Sequence, residues 1–296
     1  MTATFSADVT LADAQAALRA RDQWLPIDGN PSTALGQLVE RNSTGPLRLG
    51  YGAWRDLLLG AQFHNGRGQL ITAGGRTMKN VAGYDLTKFM VGQHGIFGRL
   101  VTLTTRTYKL PTHAAIATFT RGSIGENVRR LGELLVTPMR PHWAVVDAEK
   151  LLCGYVGNEQ AIAFCEQTIR GYESASFRRQ SLEQDIDLRM HLLSEPLSHD
   201  RSARVAVPPS GIQRFIQAAQ PNHWIADAAF GIVWLSCTEC NTVRKAARDA
   251  GGSVINFTKA GRDEVELSRD QAAQALLQRL KYAFDPDGKL APLPAP

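Results

Sequence analysis

The residues best suited to chemistry are glycines and small polar side chains gathered in two stretches. The first runs from Thr33-Ala34-Leu35-Gly36 to Asn42-Ser43-Thr44-Gly45-Pro46. The second takes in Gly74-Gly75, the run Lys79-Asn80-Val81-Ala82-Gly83-Tyr84-Asp85-Leu86-Thr87, and Gly92-Gln93-His94-Gly95-Ile96-Phe97-Gly98. Glycine lets backbone N–H groups approach a ligand with no Cβ in the way, and successive amides in such turns form a nest for an anion. Both stretches therefore suit a phosphate or the edge of a flat ring; ordinary tight turns in a glycine-rich protein account for the same composition. A different chemistry resides in Cys237-Thr238-Glu239-Cys240, which follows an apolar run and precedes a helical one, the setting of a redox C-x-x-C. Incidental thiols are the plainer reading, because no second C-x-x-C completes a zinc site.

Other catalytic signatures are missing. There is no G-x-G-x-x-G, since Gly50-Tyr51-Gly52 continues with Ala53-Trp54-Arg55, and no P-loop, since Gly288-Lys289 continues with Leu290. H-E-x-x-H and G-x-S-x-G do not occur. The seven histidines never pair with a carboxylate at ligand spacing, so no metal site is expected.

The elements that must hold the two loops can be read from periodicity. Leu58 to Phe63 and Leu70 to Ala73 flank Asn65-Gly66, which predicts a hairpin. A short helix follows around Leu86 to Met90, then a strand from Leu100 to Tyr108, and Pro111 closes that part of the chain. Beyond it the pattern predicts a strand at Ala115–Phe119, a helix at Gly125–Leu135, a hairpin from Val145 to Val156 and a helix at Glu159–Tyr172. Ser174 to Arg201 is polar and reads as an irregular excursion. Strands at Arg204–Val207 and Phe230–Ser236, helices after Pro209 and Asn241, and a strand at Val254–Lys259 complete a β-α-β series. The tail forms an amphipathic helix, Ala272–Phe284, with Ala275, Leu276, Leu280 and Phe284 on the buried face, followed by a poorly constrained Pro-rich end. At 296 residues two domains are expected, with the boundary near Pro111 to His113. The net charge of +5 is dispersed, which argues against nucleic acid, and no apolar run reaches membrane-span length. Without an export signal a cytoplasmic protein is expected, any membrane association coming through partners.

The run from GPLRLGYGAW through KNVAGYDLTKFMVGQHGIFGRLVTLTTRTYKLP resembles the flavin-binding region of the PCMH-type (vanillyl-alcohol-oxidase-like) FAD proteins, and within them the FAD-binding subunits of bacterial glycolate oxidase. TALGQLVERN, RVAVPPSGI, FGIVWLS and LQRLKYAFDPDGKLAP extend the resemblance over most of the chain. It implies an α+β protein: a truncated PCMH-type FAD-binding domain at 1–112, followed by a smaller α+β cap domain at 113–296. It also implies FAD as cofactor. Thr33, Leu35, Gly36, Asn42, Ser43 and Gly45 would line its diphosphate and ribityl region. Gly83, Tyr84, Asp85, Gly95, Gly98 and Leu100 would run along the isoalloxazine, with Lys79 offsetting charge on the reduced ring.

Two departures from the family pattern matter. Relatives begin with a further segment ending in a glycine-rich turn around the FAD pyrophosphate, and Met1 falls after it. Glu40 and Arg41 also stand where relatives carry small residues, and His94 where they carry Leu or Glu. The histidine-rich catalytic motif of the larger flavoprotein subunit is absent too, with His113, His142, His191, His199 and His223 scattered singly. Oxidation of a 2-hydroxy acid needs a general base and a carboxylate clamp. The resemblance thus implies an FAD-binding accessory subunit of a glycolate oxidase-like complex, working with a larger FAD-binding subunit and an iron–sulfur subunit. The alternative is a non-catalytic scaffold of the same fold that has lost FAD.

Overall fold

The computed structural model describes residues 1–75, 85–172, 174–199, 201–237, 239–259 and 271–294, and the backbone of 262–265. The chain folds into two compact units, Met1–Leu110 with Leu267–Pro296, and Pro111–Glu266.

The first unit contains β1 (Thr2–Ser6), α1 (Leu11–Arg19), β2 (Gln23–Trp24), α2 (Leu35–Glu40), α3 (Arg48–Tyr51), α4 (Trp54–Leu57), β3 (Leu58–His64), β4 (Leu70–Gly74), α5 (Leu86–Phe89), β5 (Arg99–Arg106) and β6 (Tyr108–Lys109). Four strands form an antiparallel sheet in the order β1-β5-β3-β4, and β2 pairs with β6. Helix α1 starts where the Thr10 hydroxyl accepts the Asp13 amide at 3.1 Å, and it buries Leu11, Ala14 and Leu18. These side chains join Leu35, Leu38, Val39, Trp54, Leu57 and Leu103 in one core. The hairpin forms at the expected place: the Asn65 side-chain oxygen accepts the amides of Arg67 and Gln69, each at 3.0 Å.

The second unit contains β7 (His113–Phe119), α6 (Ile124–Leu135), β8 (Trp143–Val146), β9 (Leu151–Gly157), α7 (Glu159–Ile169), β10 (Ala175–Gln180), α8 (Leu182–Leu197), β11 (Arg201–Ala206), α9 (Ile212–Ala219), β12 (Trp224–Asp227), β13 (Ile232–Ser236), α10 (Cys240–Asp249), β14 (Ser253–Lys259) and β15 (Arg262–Val265). All nine strands pair antiparallel in the order β10-β7-β9-β8-β12-β13-β11-β14-β15. Every residue of β8 and β13 is buried. Because successive side chains point to opposite faces, both faces of the sheet are covered there.

Three expectations need correction. The segment 174–201 is no excursion, since it forms edge strand β10 and the 16-residue helix α8. A capping box starts the helix, with the Ser181 hydroxyl accepting the Gln184 amide at 3.1 Å and the Gln184 side chain accepting the Ser181 amide at 2.9 Å. Its polar look comes partly from Asp185 and Arg189, which are buried and paired inside the fold, where the Asp185 carboxylate also accepts the Trp143 indole N–H at 3.0 Å. Second, the tail groups with the first unit, leaving Pro111–Glu266 as the second unit and the longer of the two. Third, α11 (Gln271–Phe284) turns only part of the expected stripe inward: Leu280 and Phe284 are half-buried as expected, together with Leu277 and Lys281, but Ala275 and Leu276 are exposed. Phe284 lies within 6.4 Å of the ring centroids of Phe63, Phe89 and Phe97. The end of the chain is tightly held, because Asp285 accepts the amides of Lys289 and Leu290 at 2.8 and 2.9 Å and the Lys281 ammonium at 2.6 Å.

Candidate functional site

The first glycine-rich stretch wraps the start and end of α2. Leu35 donates its amide to the Val9 carbonyl at 2.9 Å and Gly36 donates to the Ala7 carbonyl at 2.8 Å, while the Thr33 carbonyl accepts the Leu11 amide at 3.0 Å. A Cβ at Gly36 would stand 2.9 Å from Ala7 Cβ, so glycine is required there by the passing chain. At the other end Asn42 has φ +47°, its amide bonds the Val39 carbonyl at 3.0 Å, and the Ser43 amide reaches back to Leu38 at 2.8 Å. That pair of bonds is a Schellman cap, which ends the helix in a left-handed residue. The Ser43 carbonyl accepts the buried Trp54 indole at 2.8 Å. Gly45 lies against Asp28, whose Cβ would be 2.5 Å from a Cβ at that position, and the Asp28 carboxylate accepts the Leu47 amide at 2.9 Å.

Of the second stretch, Gly74-Gly75 and the residues from Asp85 onward are described, and Lys79, Gly83 and Tyr84 lie outside the described residues. Asp85 caps α5, accepting the Lys88 amide at 3.1 Å. Gly92 and His94 donate their amides to the carbonyls of Val39 and Glu40 at 3.0 and 2.9 Å. These two bonds bring the loops side by side, as a shared ligand would require. Buried Gln93 braces the turn, its oxygen accepting the Phe97 amide at 2.9 Å and its nitrogen donating to the Gly98 carbonyl at 3.0 Å. Gly98 is closed by Phe63, whose ring carbon would stand 2.6 Å from a Cβ. Gly95, at φ +76°, is open, and its carbonyl takes the Ala291 amide at 3.2 Å. The Lys281 ammonium donates to the Ile96 carbonyl at 3.0 Å, which ties the loop to the Asp285 knot.

Glu40 joins the two loops a second time. Its carboxylate accepts the Leu100 amide; burial pushes its pKa up, opposed by that amide and by the charges of Arg41 and Arg99. The described parts of both loops thus lie together, but the amides of Leu35, Gly36, Asn42, Ser43, Gly92, His94, Phe97 and Leu100 already have acceptors within the protein. Arg41 and Arg99 stand close enough to the Glu40 carboxylate to lower its pKa, so positive charge is present beside it. A diphosphate needs N–H donors as well as positive charge, and the amides named above are engaged. The Lys281–Asp285 pair was not foreseen as part of this region; its sequence signal is the polar Asp285-Pro286-Asp287-Gly288 turn after an apolar helix.

In the second unit the histidines are less scattered than the sequence suggests. His199 and His223 stack with centroids 4.3 Å apart, His223 lies 2.8 Å from the Glu195 carboxylate, and both line a groove with Arg201. His142 is half-buried and held neutral, its pKa lowered to about 4 by desolvation and then by Arg140. Among the described residues no group of three or more His, Cys, Asp or Glu side chains is placed to hold a metal, and no helix is long and apolar enough to cross a membrane.

No protein-family model matches the chain. It is 28% identical over 284 residues to the Escherichia coli protein named glycolate oxidase subunit GlcE, an alignment covering 94% of this chain and 77% of that one. Over 100 residues it is 34% identical to glycolate oxidase subunit GlcD of Bacillus subtilis, covering 33% of this chain and 21% of that relative. A solved structure of alkyldihydroxyacetonephosphate synthase superposes with a TM-score of 0.69 at 15% identity, covering 99% of this chain and 64% of the synthase chain. The chain therefore spans less than two thirds of that relative's length, and the likeness is one of fold.

Proposed function

We propose that this chain, a homologue of glycolate oxidase subunit GlcE with the fold of the FAD-linked oxidases, serves as an accessory subunit of a glycolate oxidase-like complex. The observation that carries this reading is the similarity to GlcE, which runs over 94% of the chain rather than over one motif. Its partners would be the larger FAD-binding subunit, where the 2-hydroxy acid is oxidised, and an iron–sulfur subunit that takes the electrons onward. In support, no base-plus-clamp arrangement for such an oxidation was legible in the sequence. The first unit, which would carry the flavin, has an interior of apolar packing and engaged backbone groups.

One observation favours the reading in which this subunit keeps the fold without the flavin. Glu40 sets a carboxylate on the Leu100 amide between the two loops, where the family places the cofactor. By the resemblance Leu100 would run along the isoalloxazine, so this carboxylate engages an amide that the edge of a flavin ring would otherwise use. The family is FAD-binding; in this chain the described loops act as a self-satisfied scaffold, and no electron-transfer step is assigned to them. The test is the visible spectrum of the full chain purified after expression with excess riboflavin. The scaffold reading expects no flavin band and no change in protein fluorescence when FAD is added. A stoichiometric flavin band would restore the FAD-binding form of the same accessory role.

A further inference from the structure

Cys237 and Cys240 take no part in the function proposed above. Of the four cysteines, Cys153 and Cys165 are buried in β9 and α7, whereas this pair is partly exposed at the junction of β13 and α10. The Cys237 amide donates to the Arg201 carbonyl at 3.1 Å, fixing that residue to the start of β11, and Cys240 is the first residue of α10. Between those two anchors the Cys240 side chain is near enough to raise the pKa of the Cys237 thiol. Cys237 also lines an open groove of about 670 Å³, together with His199, Arg201, His223, Glu239 and Thr242, so a small molecule has a route to the sulfur.

We propose that Cys237 and Cys240 form a site of reversible intramolecular disulfide formation, by exchange with a low-molecular-weight disulfide. One protein thiolate attacks a sulfur of the incoming disulfide, forming a mixed disulfide and releasing one small thiol. The second protein thiol gives its proton to solvent and attacks the first protein sulfur, releasing the second small thiol. Two protein thiols are oxidised and one small disulfide is reduced to two thiols, so the electrons balance. Cysteines three residues apart at a strand-to-helix corner, with side chains that already interact, can close to a bond of about 2 Å by side-chain rotation. Burial, and then the neighbouring Cys240 sulfur, push the Cys237 thiol up to about 11, which keeps it protonated at rest and makes its attack slow at neutral pH. Cys153 is shielded more strongly, its thiol pushed far above the usual range by full burial.

The full chain is equilibrated in a series of glutathione buffers from fully reduced to fully oxidised, quenched in acid, alkylated and weighed. The expected result is a species lighter by about 2 Da before alkylation, with Cys237 and Cys240 unalkylated until reduction and an oxidised fraction that rises through a single midpoint as the buffer becomes more oxidising. The double variant Cys153→Ser/Cys165→Ser should behave identically, and Cys237→Ser should stop at a glutathione adduct on Cys240. A wild-type chain that stays reduced through the whole series, that carries only glutathione adducts, or whose disulfide maps to Cys153 or Cys165 overturns the proposal. The wild-type measurement decides the matter even if a variant fails to fold.

Discussion

Replacing Asp285 by Asn removes one charge from the knot that closes the first unit, and its effect can be worked out bond by bond. The Asp285 side chain is fully buried and that of Lys281 is 15% exposed, so the 2.6 Å pair between them is shielded from solvent. The carboxylate also takes two amides, from Lys289 on Oδ1 and from Leu290 on Oδ2. Asparagine keeps one acceptor oxygen and turns an NH2 group toward one of those donors, while Lys281 retains the Ile96 and Ala291 carbonyls but loses its counter-charge. Hydrogen bonds to a charged group contribute roughly 1.5–3 kcal/mol each, and breaking a buried pair costs roughly 3–5 kcal/mol. A loss of about 3 kcal/mol is expected for Asp285→Asn. With a urea slope of roughly 1–3 kcal/mol per molar, the transition of the first unit should fall by about 1–3 M, and amide exchange at residues 95–98 should quicken. Burial would raise this carboxyl's pKa, but Lys281 and the two amides outweigh it and bring it from 3.8 down to about 2. A depressed acid stabilises the fold fully above its unfolded value, so this contribution is present above pH 3.8 and vanishes as pH falls through about 2. The variant should lack that part of the acid transition. A midpoint within about 0.3 M of the parent would refute the reasoning, because it would mean that the pair contributes little beyond solvent.

In the second unit, Asp185→Leu leaves the Arg189 guanidinium buried without its partner and should cost roughly 3–5 kcal/mol in urea unfolding, while adding Arg189→Met should recover most of the loss. His142 is neutral in the fold down to about pH 4 but takes a proton near 6.5 when unfolded, so stability should be full above 6.5 and decline between 6.5 and about 4; His142→Gln should flatten that part of a melting-temperature profile. The Glu40 carboxyl is raised above its ordinary 4.5, so its charged form opposes folding once pH exceeds that value. Glu40→Gln should therefore raise the melting temperature at neutral pH, with the gain disappearing below pH 4.5.

How far the sequence reached depends on the range of the interactions involved. The Asn65 hairpin and helix α6, begun by a Ser123–Glu126 capping box, were legible because neighbours in the chain determine them. Helix α8 was not: its capping box is local, but the apolar stripe is interrupted by Asp185 and Arg189, whose burial depends on Trp143 some forty residues away. The inward face of α11 was misjudged by about one residue, because Leu276 fits the periodicity as well as Leu277 and only Phe63, Phe89 and Phe97 decide between them. At the candidate site the described parts of the two loops that the glycines mark lie together. The acceptors that engage their amides, Ala7 and Val9 for one loop and Glu40 for Leu100, come from distant positions that no local pattern reveals. A glycine that admits a ligand and one that admits a neighbouring strand look the same in sequence, as Gly36 against Ala7 illustrates.

The central claim, an accessory role inside an oxidase complex, is tested most directly by co-expressing the full chain, tagged, with the larger FAD-binding glycolate oxidase subunit and the iron–sulfur subunit, and assaying glycolate-dependent dye reduction after affinity purification. The account predicts that both partners co-purify, that the assembly reduces dye, and that the tagged chain purified alone does not. Turnover of glycolate by the isolated chain, or failure of both partners to co-purify, would contradict it.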